Sequence, residues 1–524
     1  MGVRDARSAP RAAVPGRAAR PDLLRLLAED SAARGLEGAP ALAWDGGSWT
    51  FGELSDRGAS AAAWLAGEGV RRGDLLLLAL PDSAEWIALF LGASRIGAQV
   101  ALASPGVPGP RLEEAAGRLG PRAILSELAW PRLRARRLDP EAARAAVATR
   151  DDGPAPAPGR ADDPAYLLLT SGSTGPPKWA VHRARDIPAC AATYGRRVLR
   201  LRPGDRTWSV AALPTSYGLG NSCYFPLAAG ACAVLAGADR SPAACAAACA
   251  AHGVTALFGV PTSWARLARH AAEGRVRADD LATVRLAVSA GEALPAAVWL
   301  AVERSLGLRL VNGLGSSEAS NLYLSDRPGA PRPDTVGWRV AGYDLRIRDD
   351  AGRDADEGEL WVRGPTVMAG YRGDPAATAR ALAPGGWLRT GDRLRREADG
   401  SHTYLGRMGD RFKAGGLWVD AARVREALEA HPLVSAAVVL PVRDADGLVR
   451  VGAALATGRA GDDPALRRAM RDHAAARLAR HEVPRALALV PALPVTASGK
   501  ADRAEVARLL AAAASPSLGR EPAA

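Results

Sequence analysis

The segment YLLLTSGSTGPPKWAVH, residues 166–182, is the part of the sequence that decides both fold and chemistry. Its first residues, Tyr166–Leu169, form a short apolar run typical of a buried strand. The run leads into TSGSTG, where Gly and small hydroxyl residues let backbone N–H groups approach and surround an anion. Lys178 follows closely and adds a positive charge. The segment therefore predicts a phosphate-binding loop after a strand, with a spacing different from GxxxxGK[ST].

Helical and apolar strand patterns alternate on both sides of this loop. LLLLAL (75–80) and QVALAS (99–104) predict buried strands, and SAEWIALFLGASRIGA (83–98) predicts the helix between them. After residue 330, DLRIRD, GELWVRG and HTYLGR alternate apolar and polar residues, as half-buried antiparallel strands do. We predict an α/β fold: a large N-terminal domain of helix-covered sheets with a small β-rich subdomain, hinged to a small α+β C-terminal domain.

Four segments are predicted along the chain. Residues 1–20 are rich in Arg, Ala and Pro without an apolar core, so they predict a disordered extension rather than a secretory signal. Residues 21–408 form the large domain and 409–511 the small mobile domain. Residues 512–524 are predicted to be a disordered tail.

Composition excludes several classes of protein. The 524 residues are 48% hydrophobic and 24% charged, and the net charge is +12. Acidic residues are interleaved with the Arg residues almost everywhere, so we expect no nucleic-acid partner. No apolar run reaches the ~18–20 residues of a membrane helix. Five Cys without paired short spacings fit a reduced cytoplasm. The sequence predicts a monomer or homodimer.

The use of lysine is unusual. Of 68 basic residues only three are Lys, namely Lys178, Lys413 and Lys500. A composition that uses Arg almost everywhere else would keep Lys where a compact ammonium is needed. Each of the three therefore becomes a candidate site residue.

Five segments in order carry a resemblance to a known family. TSGSTGPPK, NGLGSSEAS (312–320), GELWVRGPTVMAGY with GWLRTGDR, GRMGDRFKAGGLWV (406–419) and LPVTASGKADR (493–503) resemble motifs of the adenylate-forming superfamily. That superfamily contains acyl- and aryl-CoA ligases, peptide-synthetase adenylation domains and luciferases. LPTSYGLGNSCYFPLAAGA (213–231) and VSAGEALP (288–295) look most like benzoate-CoA ligases.

The resemblance implies a two-step reaction. A carboxylate attacks the α-phosphate of ATP to give acyl-AMP and pyrophosphate, and a thiol then attacks the acyl-AMP. The implied cofactors are ATP, Mg²⁺ and coenzyme A or a carrier-protein phosphopantetheine. The expected substrate is a benzoate-like aryl acid, with hydroxy- and amino-substituted benzoates as candidates.

Roles for individual residues follow from the same resemblance. The resemblance implies four catalytic residues, namely Lys500, Lys413, Ser317 and Glu318. Lys500 would bridge the substrate carboxylate and the α-phosphate, and Glu318 would also be the Mg²⁺ ligand. The ATP site consists of Thr170, Ser171, Gly172, Ser173, Thr174, Gly175, Lys178, Ala290, Gly291, Glu292, Asn312, Gly313, Leu314, Gly315, Asp392 and Arg407. The acyl pocket consists of Tyr217, Gly218, Val288, Asn321 and Leu322. Gly415 and Gly416 would let the pantetheine arm of the cofactor pass close to the backbone.

Departures from the family pattern leave alternatives open. Trp179 replaces a Gly after the loop Lys, so its ring must point away from the phosphates. Gly409 replaces the acidic hinge residue, and Arg423 and Arg425 replace an acidic pair. One alternative is an enzyme that loads an aryl acid onto a carrier protein. Another is a non-catalytic protein that binds ATP or acyl-AMP.

Overall fold

The computed structural model describes residues 18–105, 109–130, 133–170, 177–414, 417–444, 448–458, 463–495 and 501–514. It has a large N-terminal domain and a small C-terminal domain, both mixed α/β, which confirms the predicted fold class. The exact domain boundaries stay a prediction.

One seven-stranded sheet contains the strand that precedes the phosphate loop. The central strand Leu75–Ala79 is buried along its whole length, as expected for a parallel strand covered on both faces. Helices Phe51–Gly67 and Ala84–Arg95 cover this sheet, and the first begins with a capping box between Thr50 and Glu53. In order across the sheet the strands are Gly370–Tyr371, Lys178–Arg183, Pro164–Thr170, Gln99–Leu102, Leu75–Ala79, Ala123–Ser126 and Arg136–Leu138.

A nine-stranded sheet with a parallel centre provides the other wall. Helices Pro261–Ala272 and Ala296–Leu306 each follow the carboxyl end of one of its strands. In open α/β sheets, ligands bind at that edge. In order across the sheet the strands are Trp338–Arg339, Leu322–Ser325, Leu310–Gly315, Leu286–Ser289, Ala256–Gly259, Arg206–Ser209, Cys232–Val234, Pro40–Trp44 and Gly47–Thr50.

A smaller antiparallel sheet completes the large domain. Burial alternates residue by residue along Glu357–Arg363, as the sequence pattern predicts. The other strands are Asp344–Arg348, Leu382–Ala383, Trp387–Arg396 and His402–Arg407.

The remaining helices of the large domain are mostly short. They are Arg25–Glu29, Ala32–Leu36, Gly109–Gly117, Pro140–Ala148, Asp186–Cys190, Ala191–Leu199, Ser216–Leu219, Gly220–Tyr224, Phe225–Ala229, Pro242–His252, Ala278–Leu281, Ser317–Ala319, Pro375–Ala381 and Met408–Asp410. Among the described residues, no helix is long and apolar enough to cross a membrane.

The C-terminal domain has an apolar core of its own. Its two core clusters consist only of residues from Ala414 onward, whereas the clusters of the large domain end at Leu394. Helices Ala421–Glu429, Pro464–Ala475 and Arg503–Ala514 cover its strands. The strands are Arg411–Ala414, Leu417–Asp420, Ala436–Arg443, Val449–Ala456 and Ala486–Val490.

The described residues include a few from each predicted terminal segment. Ala19 forms an antiparallel bridge with Arg160, and the Arg20 amide donates to the Gly159 carbonyl. At the other end, the last helix continues to Ala514, three residues into the predicted tail. Ala-rich sequence supports helix in this segment, and its composition alone could not distinguish helix from tail.

Candidate active site

A single cleft of about 1890 Å³ brings most of the predicted site residues together. It lies at the carboxyl ends of strands in the two large sheets, and the C-terminal domain closes it through residues such as Ala422 and Arg425. Predicted residues that line it are Thr170, Tyr217, Ala290, Gly291, Glu292, Gly313, Leu314, Gly315, Ser317, Glu318, Asn321, Leu322, Asp392 and Arg407. Three others, Gly218, Val288 and Asn312, are buried.

The two strands that flank the phosphate loop are paired up to its ends. Thr170 lies opposite Lys178 in the antiparallel register of Pro164–Thr170 and Lys178–Arg183. The Lys178 ammonium lies 5.2 Å from the centroid of the Tyr371 ring, a cation–π distance. The predicted loop residues Ser171, Gly172, Ser173, Thr174 and Gly175 lie outside the described residues.

Glu318 is held by a tyrosine that sequence reasoning missed. The carboxylate sits on the short helical turn Ser317–Ala319, and the Tyr371 hydroxyl donates to Glu318 Oε1 at 2.8 Å. Burial and the nearby carboxylate raise the pKa of Tyr371, so this hydroxyl stays a donor. Tyr371 ends the quoted segment GELWVRGPTVMAGY, but nothing in its spacing indicated a partner 53 residues away.

An ion pair between a buried carboxylate and a partly exposed guanidinium marks another wall of the cleft. Asp392 and Arg407 are cross-strand partners, and Arg407 Nη1 donates to Asp392 Oδ1 at 2.7 Å. The Tyr404 hydroxyl donates to the same oxygen at 3.3 Å. The Asp392 charge raises the pKa of Arg407 further above its ordinary value, so the guanidinium stays charged. The pair is preorganised because both side chains project from paired strands.

Two of the predicted acyl-pocket residues, Tyr217 and Asn321, are held in place by hydrogen bonds. The Tyr217 hydroxyl lies 3.4 Å from the carbonyls of Gly259 and Val288, which accept from it. Asn321 Nδ2 donates to the Tyr224 hydroxyl at 3.0 Å, and Asn321 Oδ1 accepts from the Leu322 amide at 2.9 Å. Tyr224 is fully buried and was not among the predicted residues.

The close approach of two backbone segments explains why residue 315 is a glycine. A Cβ atom on Gly315 would lie 2.4 Å from the Asn321 carbonyl oxygen. The neighbouring atoms are backbone, so they could not move aside cheaply. Only glycine therefore allows the strand Leu310–Gly315 to pass so close to the Glu318 turn.

The Trp179 ring is buried in the interior of the large domain. It is 2% exposed and packs in an apolar cluster with Leu77 and Ala101. The indole Nε1 donates to the Ala115 carbonyl at 2.9 Å, so Trp179 joins its strand to the helix Gly109–Gly117.

The residues predicted to act from the C-terminal domain are only partly described. Lys413 lies in the strand Arg411–Ala414, whereas Gly415, Gly416 and Lys500 lie outside the described residues. Val495 and Ala501, on either side of the segment that contains Lys500, pair as an antiparallel bridge, and both line the cleft. The chain therefore enters and leaves that segment at the cleft.

Comparisons with known proteins agree with this geometry. A model of the AMP-binding enzyme family matches residues 29–372, and a model of the AMP-binding enzyme C-terminal domain matches residues 424–500. The chain is 36% identical to the 4-hydroxybenzoate–CoA/benzoate–CoA ligase of Rhodopseudomonas palustris, over 87% of this chain and 88% of that protein. It is 33% identical to a p-hydroxybenzoic acid–AMP ligase of Mycobacterium tuberculosis, over 91% of this chain and 68% of that protein.

A solved structure extends the likeness to the whole fold. The anthranilate CoA ligase AuaEII, crystallised with anthranoyl-AMP, superposes with a TM-score of 0.85 and 28% identity, covering 96% of this chain and 99% of that one. The family match covers more than half of the chain and contains the motifs around Thr170 and Glu318, and the C-terminal match ends at Lys500. The chain is therefore a member of the AMP-binding enzyme family, the adenylate-forming enzymes.

Proposed function

We propose that this enzyme activates a benzoate-like carboxylic acid with ATP and transfers the acyl group to coenzyme A, releasing pyrophosphate and AMP. The observation that carries the proposal is the single cleft, in which Glu318, the Asp392–Arg407 pair and Tyr217 with Asn321 all meet. The first two groups suit a nucleotide and the third suits an aromatic ring. The benzoate and hydroxybenzoate ligases among its relatives support the same substrate class.

The ATP-binding roles divide along the cleft. The loop 170–175 and Lys178 hold the β- and γ-phosphates through backbone N–H groups and one ammonium. Asp392 accepts hydrogen bonds from the ribose hydroxyls, and Arg407 holds that carboxylate in place. Residues 290–292 and 312–315 form the slot for adenine. Ser317 donates to the α-phosphate, next to the atom that is attacked.

Glu318 is proposed as the Mg²⁺ ligand, and the residues present fit that ion. Its carboxylate lines the cleft, with one oxygen already oriented by Tyr371. Mg²⁺ takes one or two carboxylates together with phosphate oxygens and water, so a single oriented carboxylate is sufficient. When bound, the ion neutralises phosphate charge. Among the described residues, Tyr371 is the group that fixes the rotamer of this ligand.

The catalytic lysine is proposed to be Lys500. Its neighbour Ala501 lines the cleft, and the ammonium is proposed to act at the carboxylate of the bound acid. There the ammonium stabilises the charge that develops as the carboxylate attacks phosphorus. Lys413, Gly415 and Gly416 are proposed to serve the second step, in which the pantetheine thiol attacks the acyl-AMP.

The hydrogen bonds of Asn321 narrow the substrate class. Asn321 Nδ2 donates to two protein oxygens, on Tyr224 and Ser216, whereas Oδ1 accepts one bond from the Leu322 amide and has a second lone pair. Asn321 can therefore accept a hydrogen bond from a ring substituent. We infer that a hydroxy- or aminobenzoate is preferred over benzoate.

The test is acid-dependent pyrophosphate exchange over benzoate, the hydroxy- and aminobenzoates, cinnamate and an alicyclic acid. We expect the highest kcat/KM with a substituted benzoate and loss of that preference in Asn321→Leu, which keeps the volume but not the acceptor. A higher kcat/KM for unsubstituted benzoate would contradict the role of Asn321. Exchange with none of the acids would overturn the proposal and favour a non-catalytic binding protein.

The acceptor is identified in a second assay. The best acid is supplied with coenzyme A or with a phosphopantetheinylated carrier protein, and AMP release is measured. Release with coenzyme A supports the proposal. Loading of the carrier alone would instead show an aryl-acid adenylation enzyme. The relative named as an AMP ligase supports this alternative.

A further inference from the structure

The turn Ser317–Ser320 is held by donors at three successive carbonyls. His182 Nε2 lies 2.7 Å from the Ser317 carbonyl, the Met368 amide donates to the Glu318 carbonyl at 2.8 Å, and Thr366 Oγ1 donates to the Ala319 carbonyl at 2.6 Å. A backbone carbonyl can only accept, so His182 Nε2 carries the hydrogen and donates. The backbone around Glu318 is therefore fixed independently of its side chain.

The end of the turn has an unusual backbone conformation. Ser320 has φ +64°, one of two non-glycine residues with positive φ among those described. Such a conformation is costly for a residue with a Cβ and persists where surrounding contacts enforce it. Ser320 Oγ lies 2.6 Å from the Tyr166 hydroxyl, and both groups are buried. This hydrogen bond holds Ser320 in place.

His182 and Tyr166 are themselves a stacked pair. They are cross-strand partners in the register of Pro164–Thr170 and Lys178–Arg183, and their rings stack with centroids 5.0 Å apart and planes 16° from parallel. One ring reaches the first residue of the turn and the other reaches the last. The same two strands lead into and out of the phosphate-loop segment.

An aspartate orients the histidine. Asp186 Oδ2 lies 3.1 Å from His182 Nδ1 and also accepts from the Arg183 amide at 3.0 Å. His182 and Asp186 are both fully buried, so water does not compete for these bonds. The imidazole is therefore held from both nitrogens, with Nε2 directed at the turn.

We propose that His182 and Tyr166 are positioning residues that fix the Glu318 turn relative to Thr170 and Lys178, the described residues at the two ends of the phosphate-loop segment. This inference rests on the proposed function, in which Glu318 and the loop act on the same ATP. Because both rings belong to the strands that end at Thr170 and begin at Lys178, they join the turn to the ends of these two strands. Asp186 supports the pair through His182.

The first test replaces His182. His182→Leu keeps bulk but removes the donor, whereas His182→Gln keeps an N–H at a similar reach. We expect His182→Leu to lower kcat in pyrophosphate exchange by about 10²-fold with a less than threefold change in the KM for the acid, since small displacements near the reacting atoms cost about that much. His182→Gln should recover at least tenfold. His473→Leu, which removes a similar donor to the Ala427 carbonyl, is the control.

A second measurement does not depend on turnover. Mn²⁺ binding to the enzyme with a non-hydrolysable ATP analogue, followed by electron paramagnetic resonance, should weaken about 10–100-fold in His182→Leu, the range for residues that orient a metal ligand. It should be unchanged in His473→Leu. Equal Mn²⁺ affinity in wild type and His182→Leu would overturn the inference, even if wild type were inactive with every acid.

The hydrogen bond at Ser320, the last residue of the turn, is tested with variants that each remove a single hydroxyl. Tyr166→Phe and Ser320→Ala each remove one hydroxyl of the pair, and both should lower kcat by a similar factor. The double variant should be no worse than either, because the two hydroxyls act on each other. Tyr194→Phe, another buried tyrosine, is the control. Additive losses, or no loss in Tyr166→Phe, would show that the pair does not position the turn.

Discussion

Arg407 and Asp392 meet across two antiparallel strands, with Arg407 Nη1 2.7 Å from Asp392 Oδ1. Arg407 Nη1 also donates to the Thr390 carbonyl at 2.9 Å, so the guanidinium joins the carboxylate to its own strand. The Asp392 side chain is nearly fully buried but lines the cleft. A carboxylate held in this way can bind the ribose without first losing freedom of its own.

Replacement of Asp392 should therefore affect nucleotide binding. We expect Asp392→Ala to raise the KM for ATP by about 10–100-fold, the value of a hydrogen bond to a charged group, and to leave Arg407 without its buried partner. Asp392→Asn should have a smaller effect because one acceptor remains. Steady-state pyrophosphate exchange at varied ATP measures both. An unchanged KM for ATP in Asp392→Ala would contradict the ribose role.

Lys500 should separate the two half-reactions. Lys500→Ala is expected to lower acid-dependent pyrophosphate exchange by about 10²–10³-fold, since it removes a donor to the developing charge. Thioester formation from supplied acyl-AMP should remain largely intact. Lys500→Arg should recover little, because a planar guanidinium does not replace a compact ammonium. Equal loss of both half-reactions in Lys500→Ala would refute the assignment.

Trp179 should contribute to stability more than to chemistry. Trp179→Gly restores the residue of the family pattern but empties the space of a buried indole, and we expect the free energy of unfolding to fall by about 3–5 kcal/mol. Trp179→Phe should lose less, since most of the volume remains and only the hydrogen bond to Ala115 is lost. Urea unfolding measures both values. If Trp179→Gly were as stable as wild type, the packing role would be wrong.

Asp326 should make stability depend on pH. Burial raises the pKa of this carboxyl from 3.8 to about 7, while its Oδ2 accepts only long bonds of 3.4 Å from the amides of Asn312 and Arg332. Between about pH 4 and pH 7 the folded protein binds the proton more tightly than the unfolded chain, so the free energy of unfolding falls as pH rises. The fall is a few kcal/mol at most, about 1.4 kcal/mol per pKa unit.

Asp326→Asn should remove that slope. The variant is expected to match wild type near pH 4 and to be more stable than wild type near pH 8. Urea unfolding at several pH values checks this, with the exposed Asp350→Asn as the control. A slope in Asp326→Asn equal to that of wild type would assign the pH dependence to other groups.

The sequence predicted the elements of this fold well because their signals are local. Strand Leu75–Ala79 and helix Ala84–Arg95 lie within the predicted segments, and the motif residues Thr170, Glu318 and Asp392 line one cleft. What it missed are partners from distant segments. Tyr371 contacts Glu318, and His182 contacts Ser317, over separations of 53 and 135 residues. No periodicity or composition reports such pairs, although both residues end segments that were already singled out.

The separate apolar cores have a consequence for the energy of domain movement. Because no core cluster among the described residues contains members of both domains, the C-terminal domain can turn as a unit without exposing its interior. A different orientation of this domain would break polar contacts such as the Arg393–Asp420 pair, whose half-buried groups lie 3.7 Å apart. Such contacts contribute about 1 kcal/mol or less each. A ligand that binds one orientation only tenfold more tightly than the other would shift the population by a comparable amount.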